Sequence, residues 1–157
     1  MTIRIWDANT GAHVHCFRQH RGVITVRTRL VLQAILATLP LTSTRLPFRA
    51  LLTSQGLAFR RGTYQLFSAS EDRTIKVWEV AEKAYVETLF GHQEGVLSVD
   101  ALSRERCLTC GGRDRTARLW KIPEESHLVF RGHNTSMDVV RWLSDDSFVS
   151  GDDAGCV

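Results

Sequence analysis

The feature that most constrains this chain is a repeat. Gly91-His92 and Gly132-His133 lie 41 residues apart, and Trp78 and Trp120 lie 42 apart. An Asp-Arg-Thr triplet stands six residues before each Trp, opening at Asp72 and at Asp114. Two independent landmarks with one period near 40 call for stacked supersecondary units, none of which buries its apolar face alone. The runs at 65–70, 74–78, 85–89, 96–102, 117–122 and 127–130 are short, β-branched or aromatic, and bounded by turn residues, which is the pattern of strands. The repeating part has no amphipathic helical pattern of useful length. The predicted class is all-β.

These residues resemble the WD40 repeat family, in which Gly-His is followed by an Asp turn and then by Trp-Asp or a relative of it. Ile3-Arg-Ile-Trp6-Asp7 shows the dipeptide itself, and Trp78-Glu79 and Trp120-Lys121 are looser copies. The resemblance implies a propeller of four-stranded blades. The expected form is partial and open: two largely complete blades, with half a blade at each end.

It also implies a buried hydrogen-bond network of His, Ser or Thr, Asp and Trp in each blade, since a buried indole N–H needs an acceptor. One set is His20, Ser68, Asp72 and Trp78. A second is His92, Asp114 and Trp120, with Cys110 aligned where the hydroxyl should stand. A thiol is a poor donor, so this network is expected to be weaker by roughly 1 kcal/mol. His133 opens a third unit, in which Ser150 aligns and Ala154 falls at the Asp position.

The same residue types invite three other readings. His, Ser and Asp together suggest a hydrolase triad, but a catalytic site is built once and these residues recur in every unit. Cys107-x-x-Cys110 is half of a zinc pattern, with no second CxxC or HxxxH to complete it. His13-Val-His15-Cys16 suggests metal ligands or, more simply, alternation on an edge strand. A Gly-rich phosphate loop, a nucleophile elbow and HExxH are all missing, which argues against an enzyme. No metal, cofactor or small-molecule substrate is expected.

One block breaks the period. His92 to Trp120 is 28 residues, whereas His20 to Trp78 is 58, an excess of 30. Removing residues 26–55 restores the spacing and repairs the first strand of a blade. The block is rich in Leu, Thr and Arg, holds two of the three Pro, and has no Asp, Glu or Lys. Val26-Arg27 can be encoded as a splice donor and Gln55 as an acceptor, so the block reads as a retained intron translated in frame; a helical insertion over 30–39 is the alternative. The expected organisation is 1–25 as the end of one blade and the start of the next, 26–55 as the insertion, and 56–157 as WD40 repeats. Open sheet edges at both ends lead to an expectation of poor solubility.

Composition adds limits. At 157 residues, with 43% hydrophobic and 24% charged residues, the chain is of ordinary globular make-up. Its formal charge of +3 permits a polyanionic partner without requiring one. Four scattered Cys do not make a disulfide scaffold. The longest apolar stretch, at 30–41, is too short for a bilayer, so no membrane association is expected.

A narrower resemblance is carried by Tyr85-Val-Glu-Thr-Leu-Phe-Gly-His-Gln93, Asp100-Ala-Leu-Ser-Arg104, Gly111-Gly-Arg-Asp114 and Lys121-Ile-Pro-Glu-Glu-Ser126-His-Leu-Val-Phe130. These runs look like the WD40 subunits of the U3 box C/D ribonucleoprotein. That implies a non-enzymatic scaffold in the nucleolus that binds U3 snoRNA, box C/D core proteins and other processome proteins, and serves pre-rRNA processing. Arg21, Arg73, Arg113, Arg115 and Arg131 flank the recurring motifs and are the candidate phosphate contacts; salt bridges to Asp72, Asp114, Glu71 or Asp153 are the alternative. The competing function is a general protein-interaction adaptor, as in a ubiquitin ligase or signalling complex.

Overall fold

The computed structural model describes residues 2–21 and 56–157. The insertion expected at 26–55 and the boundary at residue 25 lie outside the described residues. Those residues form β1 (Ile3–Trp6), β2 (His13–Phe17), β3 (Leu57–Phe59), β4 (Gln65–Ala69), β5 (Thr74–Glu79), β6 (Ala84–Phe90), β7 (Ser98–Ala101), β8 (Arg106–Cys110), β9 (Thr116–Lys121), β10 (Ser126–Arg131), β11 (Met137–Ser144) and β12 (Ser147–Asp152). All pairings are antiparallel.

Four sheets result, in the orders β1-β2, β3-β4-β5-β6, β7-β8-β9-β10 and β11-β12. The two four-stranded meanders and the flanking pairs are the two blades and two half blades that the repeat predicts. Helix is confined to one 3-10 turn, Ile122–Glu124, among the described residues. It occupies the β9–β10 connection, where Pro123 fixes its φ and Glu125 closes it in a left-handed conformation. The strand expected at 96–102 begins only at Ser98. Val96 instead donates its N–H to the Ser70 carbonyl of the preceding sheet, so that stretch stitches two sheets together before pairing within its own.

The core lies between sheets, not within them. Ile3 and Phe17 meet Leu66 and Trp78 across the first seam. Phe67, Ile75 and Val77 meet Val96, Val99, Cys107 and Trp120 across the second. Leu108, Cys110 and Ala117 meet Met137 and Val140 across the third. Both faces of a central strand are therefore buried, and β4 and β8 read as nearly continuous buried runs. Alternation survives on β5, which leaves Lys76 between the buried Ile75 and Val77.

The hairpins joining first to second strands are stapled between neighbours. Arg60 bonds Glu105 at 2.7 Å and the Ser103 carbonyl at 2.9 Å. Arg104 in turn reaches Asp145 and Asp146, each at 3.4 Å. The same contact, one unit along, locks the pitch between sheets on one face of the molecule.

Candidate functional site

The opposite face is built by the loops that carry His20, His92 and His133 and by the turns between second and third strands. The β8–β9 loop shows how the sequence sets it up. Asp114 accepts from the Thr116 N–H and hydroxyl at 2.9 and 2.8 Å, which fixes the turn. It also accepts from the Gln93 N–H at 3.2 Å and from His92 Nδ1 at 2.7 Å, which docks the preceding loop onto the turn. A carboxylate only accepts, so the imidazole proton is assigned to Nδ1 and Nε2 is left as an acceptor. Nε2 takes the hydroxyl of Thr109 at 2.8 Å, and that oxygen takes the indole N–H of Trp120 at 2.8 Å. The result is a one-directional chain from indole to carboxylate with every member satisfied.

The same chain runs through Trp78, Ser68, His20 and Asp72, at 2.8, 2.8 and 3.0 Å. Burial makes both imidazoles harder to protonate: His20 and His92 fall below the ordinary histidine value, although their aspartates pull the other way. Burial also works against ionising Asp114, but the bonds from His92 and Thr116 prevail and hold its pKa down to about 2. Ser68 and Thr109 are fully buried, with both hydrogen-bonding sides of the hydroxyl in use. A hydroxyl so enclosed acts as a brace, which argues against a nucleophile's role for Ser68 and Thr109.

Two sequence assignments are corrected. The hydroxyl of the second network belongs to Thr109, not to the position of Cys110, so this network lacks nothing. Its turn is one residue longer, at Gly112, which adopts φ +56° and shifts the register relative to Ser68. In the third unit the acid is Asp152, not the position of Ala154: His133 Nδ1 meets Asp152 at 3.0 Å and Nε2 meets Ser150 at 2.8 Å. That aspartate lies two residues after its serine, whereas Asp72 lies four after Ser68, so spacing alone passes over it.

Sequence reading also missed Gly111 and Arg118. A Cβ on Gly111 would stand 2.2 Å from His92 Nδ1 and 2.3 Å from the Asp114 carboxylate, so the network itself demands glycine. Arg118 is buried beside Trp120, donates to His127 Nε2 at 2.8 Å, and fills the space that the absent side chain of Gly91 leaves. The only signal for either was the doubled Gly111-Gly112 and the cation two residues before each repeat Trp.

Cys107 and Cys110 point to opposite sides of β8, into different seams, and burial pushes the first thiol well up and the second to about 12. They cannot converge on one ion. His13 packs against Trp6 and His15 against Phe17. Among the described residues no group of three potential ligands is arranged to hold a metal.

Arg21, Arg73, Arg113, Arg115 and Arg131 are all exposed. Their places in the loops and turns put four of them on this one face. Arg21 donates its N–H to Asp72, Arg73 and Arg115 hold the left-handed position of equivalent turns, and Arg113 lies between Gly112 and Asp114. Arg131 ends β10 one residue before Gly132. Among the described residues none of the five forms an ion pair; the one guanidinium bond is from Arg115 to the Asn134 carbonyl, at 3.3 Å. Asp72 and Asp114 are spent on their histidines, which leaves Glu71, Glu94 and Asp153 as the exposed acids of these loops. Arg60 and Arg104 on the other face, by contrast, are ion-paired.

The family model for the WD domain, G-beta repeat, matches residues 55–79 and 83–121. The U3 snoRNP-associated protein-like EMB2271 of Arabidopsis thaliana is 34% identical over 155 residues, 99% of this chain and 26% of the relative. Ribosomal RNA-processing protein 9 of Saccharomyces cerevisiae is 40% identical over 92 residues, 58% of this chain and 16% of the relative. The solved structure of U3-55K superimposes with a TM-score of 0.75 and 46% identity, covering 97% of this chain and 37% of that one. The chain thus spans about a quarter or less of the curated relatives it matches. The matched repeats, the meandering four-stranded sheets and the recurring indole-to-carboxylate chain together establish that it belongs to the WD40-repeat proteins.

Proposed function

We propose that this chain is part of a non-catalytic WD40 scaffold of a U3 ribonucleoprotein. In this reading it contacts U3 snoRNA and box C/D core proteins, together with other processome proteins, and serves pre-rRNA processing in the nucleolus. The observation that carries the reading is 46% identity to U3-55K over nearly the whole chain, well beyond what the WD40 fold alone requires. The name of the yeast relative, an rRNA-processing protein, agrees with it. The five guanidiniums supply the chemistry, since Arg pairs bidentately with phosphate and none of the five is ion-paired among the described residues. Buried hydroxyls and neutral, braced histidines support a surface that binds and does not react.

The test is affinity capture of the tagged chain from cell extract, followed by probing for U3 RNA and for protein partners. Enrichment of U3 RNA with box C/D core proteins supports the proposal. Recovery of ubiquitin-ligase or signalling subunits without RNA would replace it with the adaptor reading.

A further inference from the structure

The hairpin between β3 and β4 carries a run that belongs neither to the repeat nor to the arginine face: Arg60-Arg61-Gly62-Thr63-Tyr64. Two guanidiniums two and three residues ahead of a hydroxyl, with an aromatic directly after it, match the acidic clefts through which arginine-directed protein kinases hold a substrate. Among the described residues four Ser or Thr stand three positions after an Arg: Thr63, Thr109, Thr116 and Ser144. Structure separates them. Thr109 is fully buried between His92 and Trp120, and Thr116 is 5% exposed with its hydroxyl on Asp114. Ser144 is exposed, but Trp142 stands where the second Arg would, and Asp145 and Asp146 follow it. Its Arg141 is also engaged, with the Val99 carbonyl and Asp100. Thr63 has both arginines and an open position.

The tip of this hairpin is built to be reached. Residues 61–64 are exposed, Tyr64 to 63%, and Gly62 turns the chain at φ +79° with nothing within 4 Å of where a side chain would begin. The turn closes on long bonds. Thr63 donates its N–H to the Arg60 carbonyl at 3.3 Å and its hydroxyl to the same oxygen at 3.2 Å, and accepts from the Gln65 N–H at 3.3 Å. The Arg61 guanidinium forms no ion pair among the described residues. Arg60 holds Glu105 at 2.7 Å and the Ser103 carbonyl at 2.9 Å, the staple to the next sheet. The Glu105 side chain is 47% exposed, so little holds that guanidinium against a stronger anion.

We propose that Thr63 is a phosphorylation site for an arginine-directed protein kinase, and that its phosphate draws Arg60 away from Glu105. Thr63 Oγ1 attacks the γ-phosphorus of ATP. The new O–P bond forms as the bond from that phosphorus to the bridging oxygen breaks, and ADP leaves with the bonding electrons. The hydroxyl proton passes to the kinase's catalytic aspartate. The product carries about −1.5 to −2 charges at pH 7, a few residues from both guanidiniums. Such a dianion is a stronger partner for Arg60 and Arg61 than a half-exposed carboxylate, and it repels Glu105. The staple between the second and third sheets therefore loosens at one point, on the face away from the buried networks.

The experiment incubates the purified 157-residue chain with ATP and a kinase of this class, and locates phosphate by peptide mass spectrometry. The expected result is phosphate at Thr63 and none at Thr116. It is lost in Thr63→Val and incorporated roughly tenfold more slowly in Arg61→Ala, whose guanidinium is ion-paired to nothing in the fold. Thr116 is an internal check, because its own run, Arg113-Asp114-Arg115-Thr116, becomes reachable only when the third sheet opens. Amide hydrogen exchange over residues 103–106 is expected to quicken several-fold in the phosphorylated chain. No incorporation, labelling of Thr116 or Ser144 in place of Thr63, equal labelling of Thr63 and Thr116, or Arg61→Ala labelled as fast as the parent would overturn the site. Unchanged exchange over 103–106 would overturn the loss of the staple.

Discussion

Thr109 Oγ1 sits 2.8 Å from the indole nitrogen of Trp120, the same distance that separates Ser68 from Trp78 one sheet earlier. Because Thr109 is both acceptor and donor, Thr109→Val leaves two buried groups without partners. The expected cost is about 2–4 kcal/mol, read from urea unfolding. Cys110→Ser, which simple alignment would suggest as a repair, is expected to destabilise by about 1 kcal/mol or more, since it puts a hydroxyl among Leu108, Ala117, Met137 and Val140. A stabilised Cys110→Ser protein would return the network to that residue.

Two glycines of the recurring loops are expected to behave in opposite ways. Gly111→Ala drives a methyl group into the His92–Asp114 bond and is expected to cost more than about 2 kcal/mol. Gly132→Ala meets nothing within 4 Å and is expected to stay within about 0.5 kcal/mol of the parent. Thermal melts of the two variants provide the check.

Acid is expected to act in two stages. His20 and His92 are held below the ordinary value of 6.5, so below about pH 6.5 the unfolded chain takes up protons that the folded chain refuses. Their contribution is complete above that pH and is lost as pH falls. Asp114, held near 2 against an ordinary 3.8, adds a second loss below about pH 4, on the order of 2 kcal/mol. Urea midpoints at pH 7.5, 5.5 and 3.5 should fall in that order; equal midpoints at the first two would contradict the histidine contribution.

If RNA lies on the arginine face, reversing charge at Arg113 and Arg115 should weaken binding of U3 RNA. The slope of log affinity against log salt should also flatten by roughly 1 to 2. Arg61→Glu with Lys83→Glu, an equal change of charge on the hairpins of the opposite face, should leave that slope nearly unaltered. Filter binding across a salt series separates the two.

The architecture was readable from the sequence because its period is written in residues that have no cheap substitute: an indole, an imidazole and a turn carboxylate at fixed offsets. Strand positions followed from the same spacing. What spacing could not convey was where a turn gains or loses a residue. Gly112 adds one between Thr109 and Asp114, and the third unit drops two between Ser150 and Asp152, so the alignment slid onto Cys110 and Ala154. Arg118 was invisible for another reason. Its burial depends on Gly91, which is distant along the chain and brought close only by packing.

The two thiols of β8 stand three positions apart yet open onto separate seams. Each is therefore a sentinel for one boundary alone. Timed alkylation, resolved by mass spectrometry, would follow the parting of neighbouring sheets on either side of one strand, and would tell whether this assembly comes apart blade by blade or all at once.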